Sequence, residues 1–442
     1  MVTFHRDFTK VLPANEGEPT ADYSIDPEGS ISIVDLSAGV ANLTAADVST
    51  VSFTAFNSDL AALKSAGVRI INPSQIVAED LEPEFVTISD DNTTAYVSLQ
   101  ENNAIAVIDI ATATATEIRP LGFSDHSTGG LDASNESGEI LIASFPVLGN
   151  YMPDAIASGV VNGQELIFSA NEGDVRELDN FVDEDRIKDF DLDPAIFADQ
   201  DILKHEKFLG RLKALAYTGD TDGDGDLDEI HSIGSRSFTI WDAATGNLVF
   251  DSEDLIEQVI AQDPVFSDLF NASNSNDNFK NRSDDKGPEP EGVAFFTIQN
   301  DAYIAVGLER VGGVMLFEVN DPTQPKYVGY YNNRVNGAEG PDLGTEGLLY
   351  ISAADSPNGK KLMVLANEVS STLSVYEVNT CIELIASEIN NDDLVFCEGA
   401  DLTLEVTPGT GTNYQWDENG SDIVGATSFN YTTATAGEIA VY

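Results

Sequence analysis

Carboxylates recur in this chain at positions that ordinary turn chemistry does not require. An acid stands at Glu84, Asp154, Glu291 and Glu346, each at the head of a β-rich run. A second polar pair follows each one, at Glu101-Asn102, Asn171-Glu172, Glu309-Arg310 and Asn367-Glu368. The spacings from the first acid to the second are 17, 18, 18 and 22 residues, the length of one hairpin. Asn15-Glu16-Gly17-Glu18 looks like the second half of such a pair, with no first half read in front of it. Hard oxygen ligands gathered from several places in a chain are what Ca²⁺ or Mg²⁺ binds. The expected channel cluster is Glu84, Glu172, Glu291, Glu346 and Glu368. The competing reading is that Glu-Gly and Asn-Glu steps only cap turns by bonding nearby backbone amides.

A second acidic pattern is tighter. Asp220, Asp222, Asp224, Asp226 and Asp228 alternate with Thr, Gly, Gly and Leu. Oxygens at loop positions one, three, five and nine can wrap a cation, and glycine at position six permits the sharp bend. The twelfth position is His231, where an EF-hand has a bidentate Glu, so a calcium hairpin joining strands is expected. Its ligands would be the side chains of Asp220, Asp222, Asp224 and Asp228 and the carbonyl of Asp226.

Other chemistry is thinly represented. There is no Gly-x-Ser-x-Gly, no phosphate loop and no paired-cysteine zinc pattern. His126, in Ser124-Asp-His-Ser127, is read as a structural turn residue. Basic side chains are scarce, yet Arg176, Arg236, Lys286 and Arg310 lie inside the acidic motifs. They either neutralise crowded acids or grip an anionic substrate beside metal ions.

The elements that must position these groups are strands. Short runs such as Ala95-Tyr-Val-Ser-Leu99, Ile105-Ala-Val-Ile-Asp109 and Val314-Met-Leu-Phe-Glu-Val319 alternate with Gly, Asn and Asp turns. Only Ser58–Ala66 and Asp251–Gln262 have helical character. Three ordered units, starting at Glu82, Glu289 and Thr345, each give three strands and imply a fourth. Repeated four-stranded units predict an all-β fold, a β-propeller of six to eight blades with seven preferred, over residues 1–380. Its first blade is read as incomplete. Residues 381–442 change texture: Cys397 followed by Trp416 matches the order of an immunoglobulin-like sandwich, read as cut short.

Composition sets the surroundings. The 442 residues carry 76 Asp and Glu against 21 Lys and Arg, a formal net charge of −55. Such a surface repels nucleic-acid phosphates and anionic lipid, which excludes those partners. An apolar fraction of 42% still allows a packed core. No run is long enough to insert in a membrane. Both cysteines, Cys381 and Cys397, lie near the C-terminus, and they pair with each other or with a residue outside the chain. The N-terminus lacks the layout of a signal peptide although the rest reads as extracellular, and the chain is read as a fragment of something larger.

The stretches Val11-Leu-Pro-Ala-Asn-Glu-Gly-Glu-Pro19, Asp80-Leu-Glu-Pro-Glu84, Asn171-Glu-Gly-Asp174, Ser283-Asp-Asp-Lys-Gly-Pro-Glu-Pro-Glu-Gly292 and Gly307-Leu-Glu-Arg310 together resemble the choice-of-anchor I family, over about residues 10–380. The resemblance implies a secreted or cell-surface propeller with a variable C-terminal anchor. It leaves the activity open. The leading expectation is a calcium-stabilised binding or structural protein, whose partner is a surface ligand, another protein or a second copy. The alternative is a Ca²⁺- or Mg²⁺-dependent phosphoesterase of phytase or alkaline-phosphatase type. In that enzyme Glu84, Glu172, Glu291, Glu309, Glu346 and Glu368 would hold the metal, while Arg310 and Lys286 grip the phosphate. One prediction needs only the sequence. Chelation should lower the melting temperature because an ion bound only to the native chain stabilises it. Replacing Asp222 and Asp224 by Ala should abolish the part of that response which belongs to the 220–228 loop.

Overall fold

Alternating burial along short strands builds the molecule, and the computed structural model shows how they group. It describes residues 1–335, 340–379, 381–385, 393–397, 402–405, 415–428, 430–433 and 439–441. The chain forms two units: residues 1–349 with 364–374, and residues 350–363 with 375–442.

The first unit is built from antiparallel meanders. Its first sheet runs Val2–Phe4, Lys10–Asn15, Ser30–Asp35 and Val48–Ser52. The second runs Pro83–Ile88, Thr94–Leu99, Ala104–Asp109 and Thr114–Pro120. The third joins Ile156–Val161, Gln164–Ala170, Phe238–Asp242 and Leu248–Asp251. The fourth is Pro290–Ile298, Asp301–Leu308, Val314–Glu318 and Lys326–Tyr331. A three-stranded fifth sheet has the order Thr345–Ile351, Leu362–Asn367, Thr372–Glu377, of which residues 345–349, 364–367 and 372–374 belong to the first unit. Sequential four-stranded meanders of this kind are propeller blades. Val2–Phe4, which pairs with Val11–Pro13, supplies the strand that sequence reading did not place before Asn15-Glu16.

Two helical stretches fall where the sequence places them, at Leu60–Ala66 and Leu255–Gln262. The third sheet departs from simple order. Between its second and third strands the chain inserts residues 171–237, which contribute strands to a five-stranded sheet containing a parallel pair, Leu148–Asn150 with His231–Ser232. That insertion carries the Asp220–Asp228 loop. Its Leu192, Leu209, Leu212 and Ile230 share a core with Leu131 and Val147 from the segment ahead of the third sheet. The main cores are continuous between sheets: Phe168 and Phe238 of the third pack with Ile304 and Phe317 of the fourth.

In the second unit, Leu402–Glu405 pairs with Asn430–Thr433, and Trp416–Glu418 pairs with Ser421–Asp422 and Ile439–Val441. Trp416 is fully buried with Leu404 and Ile439, and its indole N–H donates to the Ser428 carbonyl at 2.8 Å. Cys381 stands opposite Cys397 in an antiparallel pair.

Backbone contact fixes one site residue. A Cβ at Gly234 would lie 2.0 Å from the Glu172 carbonyl oxygen, and its φ of +67° disfavours any side chain. Gly234→Ala should therefore cost about 1–3 kcal/mol of stability. Denaturant melts of the two proteins measure it.

Candidate acidic centre

The repeat register brings the acids together through a shared irregularity. In the second sheet the pairing slips between Pro83 and Val86, and in the fourth between Pro290 and Val293. In each case a β-bulge holds the acid, Glu84 or Glu291. A bulge bends its strand and re-aims the side chain, so a Pro-Glu step at each strand start turns its carboxylate from the blade. Asp154 enters just ahead of the first strand of the third sheet, where its carbonyl accepts from Ser98 Oγ at 2.8 Å. Glu172 follows Asn171, itself locked by Ser169 and Ser237.

Asp154, Glu172 and Glu291 each offer a carboxylate oxygen, all within 4.8 Å of one another. Glu172 is held on both oxygens: Lys286 Nζ lies 2.5 Å from Oε1, and Gln100 Nε2 donates to Oε2 at 3.2 Å. Glu291 Oε2 is buried without a hydrogen-bond donor, as are Glu84 Oε2, Glu101 Oε2 and Glu82 Oε1. Beside the triad lies a cleft of about 360 Å³ lined by Glu16, Glu84, Asp154 and Glu346 with Pro83 and Phe85. Glu346 is exposed at its rim, next to Glu368. Sequence reading named Glu84, Glu172, Glu291, Glu346 and Glu368. Glu172 and Glu291 meet Asp154 in the triad, Glu84 lines the cleft with Asp154 and Glu346, and among the described residues none of Glu84, Glu346 and Glu368 joins a tight group of ligands.

A second tight triad, Glu172, Glu289 and Glu309, already has its cations. Glu289 is fully buried and bonds Arg282 at 2.7 Å, Lys286 at 3.3 Å and Arg310 at 2.9 Å. Burial alone would push its pKa up, but Lys286, Arg282 and Arg310 together hold it down at about 2. Arg310 also meets Glu309 at 3.0 Å. Arg176 spans Asp80 at 2.6 Å and Glu82 at 3.0 Å, and Arg236 is paired with Glu257 at 2.8 Å. All four basic residues singled out in the sequence neutralise acids. Among the acids they serve, Glu289, Asp80 and Glu257 are not ligand candidates by sequence, since none occupies the repeating position. Two basic residues within seven positions, Arg282 and Lys286, are the available signal for Glu289.

His126 is buried, with Nδ1 3.1 Å from the Gly130 carbonyl, and burial depresses it to about 4. In the 220–228 loop, Asp220, Asp222 and Asp224 bring oxygens within 4.8 Å of one another, all exposed. Asp220 accepts from the Gly223 and Gly225 amides at 2.7 and 3.1 Å, and Asp228 from the Thr221 amide at 2.8 Å. Repulsion from Asp224 raises Asp222, whereas the Thr221 bonds lower Asp228. His231 lies outside this ring, buried against Asn150 at 2.8 Å.

Burial, then mutual repulsion, raises the central acids: Glu101 to about 7, Asp154 and Glu309 to about 8, Glu82 to about 9 and Glu291 to about 11. A carboxyl with a raised pKa binds its proton more tightly when folded. Its stabilising contribution is complete below about pH 4 and is lost as pH rises through the folded values, about 7 to 11. In chelator, the melting temperature should therefore fall from pH 5 to pH 9. Added Ca²⁺ should flatten that fall by replacing the protons, and a pH-independent melt would contradict it.

Comparison with known proteins agrees with this architecture. The choice-of-anchor I domain matches residues 1–322. Gigasin-3a of Magallana gigas is 26% identical over 192 residues, 40% of this chain and 66% of that protein. The periplasmic gluconolactonase of Pseudomonas aeruginosa aligns with 89% of this chain and 82% of its own, at 11% identity and a TM-score of 0.33. The Dos1 propeller aligns with 85% of this chain and 54% of its own, at 8% identity and a TM-score of 0.32. With most of its first unit matched by one family model, the chain belongs to the choice-of-anchor I domain family.

Proposed function

We propose that this protein is an extracellular, surface-associated propeller whose centre binds a divalent cation through Asp154, Glu172 and Glu291. Ca²⁺ is the leading candidate and Mg²⁺ the second. The observation that carries this reading is the buried, donor-free Oε2 of Glu291 within a triad of oxygens already spaced for one ion. Burying such a carboxylate is costly unless a cation or proton meets it. A further Ca²⁺ in the Asp220–Asp228 loop would stiffen the insertion without taking part in chemistry. The family supports surface residence, and among the described residues no helix is long and apolar enough to cross a membrane. Trp416, enclosed by Leu404 and Ile439, supports an immunoglobulin-like reading of residues 381–442. The cation-bearing face would serve a surface ligand, another protein or a second copy of this chain.

The phosphoesterase reading has less behind it. Lys286 and Arg310, which would have to grip the phosphate, are already engaged by Glu172, Glu289 and Glu309. Calorimetric titration with Ca²⁺ tests the leading reading. Glu291→Gln should weaken the central site at least about tenfold, as loss of one charged ligand from a hard-cation site does, while the loop site is unchanged. Unaltered binding would overturn the assignment, and Ca²⁺-dependent turnover of p-nitrophenyl phosphate would restore the enzyme.

A further inference from the structure

One cation at Asp154, Glu172 and Glu291 leaves part of the centre unmatched. Glu101 is only 6% exposed, and its Oε2 has no hydrogen-bond partner. Its neighbour Glu84 has the same unpartnered Oε2. Neither belongs to a tight triad of oxygens among the described residues, so an ion seated at Asp154, Glu172 and Glu291 does not collect them. Two buried basic side chains nearby are bound to other acids, and Arg176 acts on Glu101 only through space. Arg176 is bound to Asp80 and Glu82, and Lys286 to Glu172, Glu289 and the Gly173 carbonyl. Met1 lines the cleft and its terminal ammonium acts on Glu16 and Glu346, while no Lys, Arg or His side chain lines it.

Asp154 connects the two regions. It belongs to the triad, and it also lines the cleft with Glu16, Glu84 and Glu346. Paired divalent cations commonly share a bridging carboxylate about 3.5–4 Å from each other. Ca²⁺ tolerates 6–8 oxygens in irregular arrangement and retains water, which a cleft of about 360 Å³ can hold beside it.

We infer that the cleft holds a second divalent cation, anchored by Glu84 and sharing Asp154 with the ion at the triad. This rests on the reading of the triad as a cation site. Glu101, which repels Glu84, adds negative charge that favours the ion without being one of its ligands. Glu16 and Glu346, at the open side, supply outer oxygens or hold coordinated water.

Native mass spectrometry of the full chain with Ca²⁺ counts the ions. The Asp222→Ala, Asp224→Ala double variant removes the loop from the count. That protein should retain two ions, and adding Glu84→Gln should leave one. A single ion, unaffected by Glu84→Gln and lost in Glu291→Gln, would overturn the second site while leaving the triad intact. No ion at all would overturn both. If Glu84→Gln does not fold, the count in the loop variant decides alone: two supports the inference, one or none defeats it.

Discussion

Crowded negative charge at the centre of the first unit is the constraint to which the surrounding structure answers. Glu82, Glu84, Glu101, Asp154, Glu172, Glu289, Glu291 and Glu309 come from three different sheets and their connections, and several are buried. Ionised carboxylates in a medium of low dielectric repel strongly, and each desolvated charge needs a counter-charge or a proton. The chain meets part of that need internally. Arg282, Lys286 and Arg310 surround Glu289, and Arg176 clamps Asp80 and Glu82. Twenty-one basic residues against 76 acids make this placement selective. Four of them are spent within these two groups.

The division between neutralised and unneutralised acids separates structure from function. Glu289 binds three cations and has no oxygen left for a ligand of its own. Removing one member of such a buried group leaves a bare charge and typically costs 3–5 kcal/mol, so these pairs hold neighbouring segments in register. Asp154 and Glu291, with raised pKa values and no basic partner in contact, have what a structural salt bridge lacks. Glu172 links the two sets, with Lys286 on one oxygen and the triad on its other side.

The scaffold is rigid where these groups attach. Bulges at Glu84 and Glu291 occur at equivalent positions in two sheets. Met152, Arg236 and Glu289 have φ of +44°, +62° and +52°. Non-glycine residues in that region persist only where their surroundings over-determine them. The close approach of Gly234 to the Glu172 carbonyl ties the insertion to the same point. Charge and bulge coincide at Glu84, which lines the cleft.

The sequence alone determined what local chemistry can express. Alternating short strands and the repeated Pro-Glu and Asn-Glu steps marked an all-β repeat, the register of Glu84, Glu172 and Glu291, and the turn at Asp220–Asp228. A repeat is legible because each blade solves the same packing problem with the same residues. What only the tertiary structure decided depends on contacts between distant segments. It showed a 67-residue stretch, 171–237, leaving the third sheet and returning to it, with a core it shares with residues 131–147. It put Asp154 in the triad and left Glu346 and Glu368 at the rim, although all three open or close strands in the same pattern. It also showed that Lys286 and Arg310 face Glu289, 3 and 21 positions away, rather than open solvent. Sequence spacing records where a side chain leaves the backbone. Which counter-charge it meets is set by how the sheets pack, because electrostatic partners are chosen by distance in space.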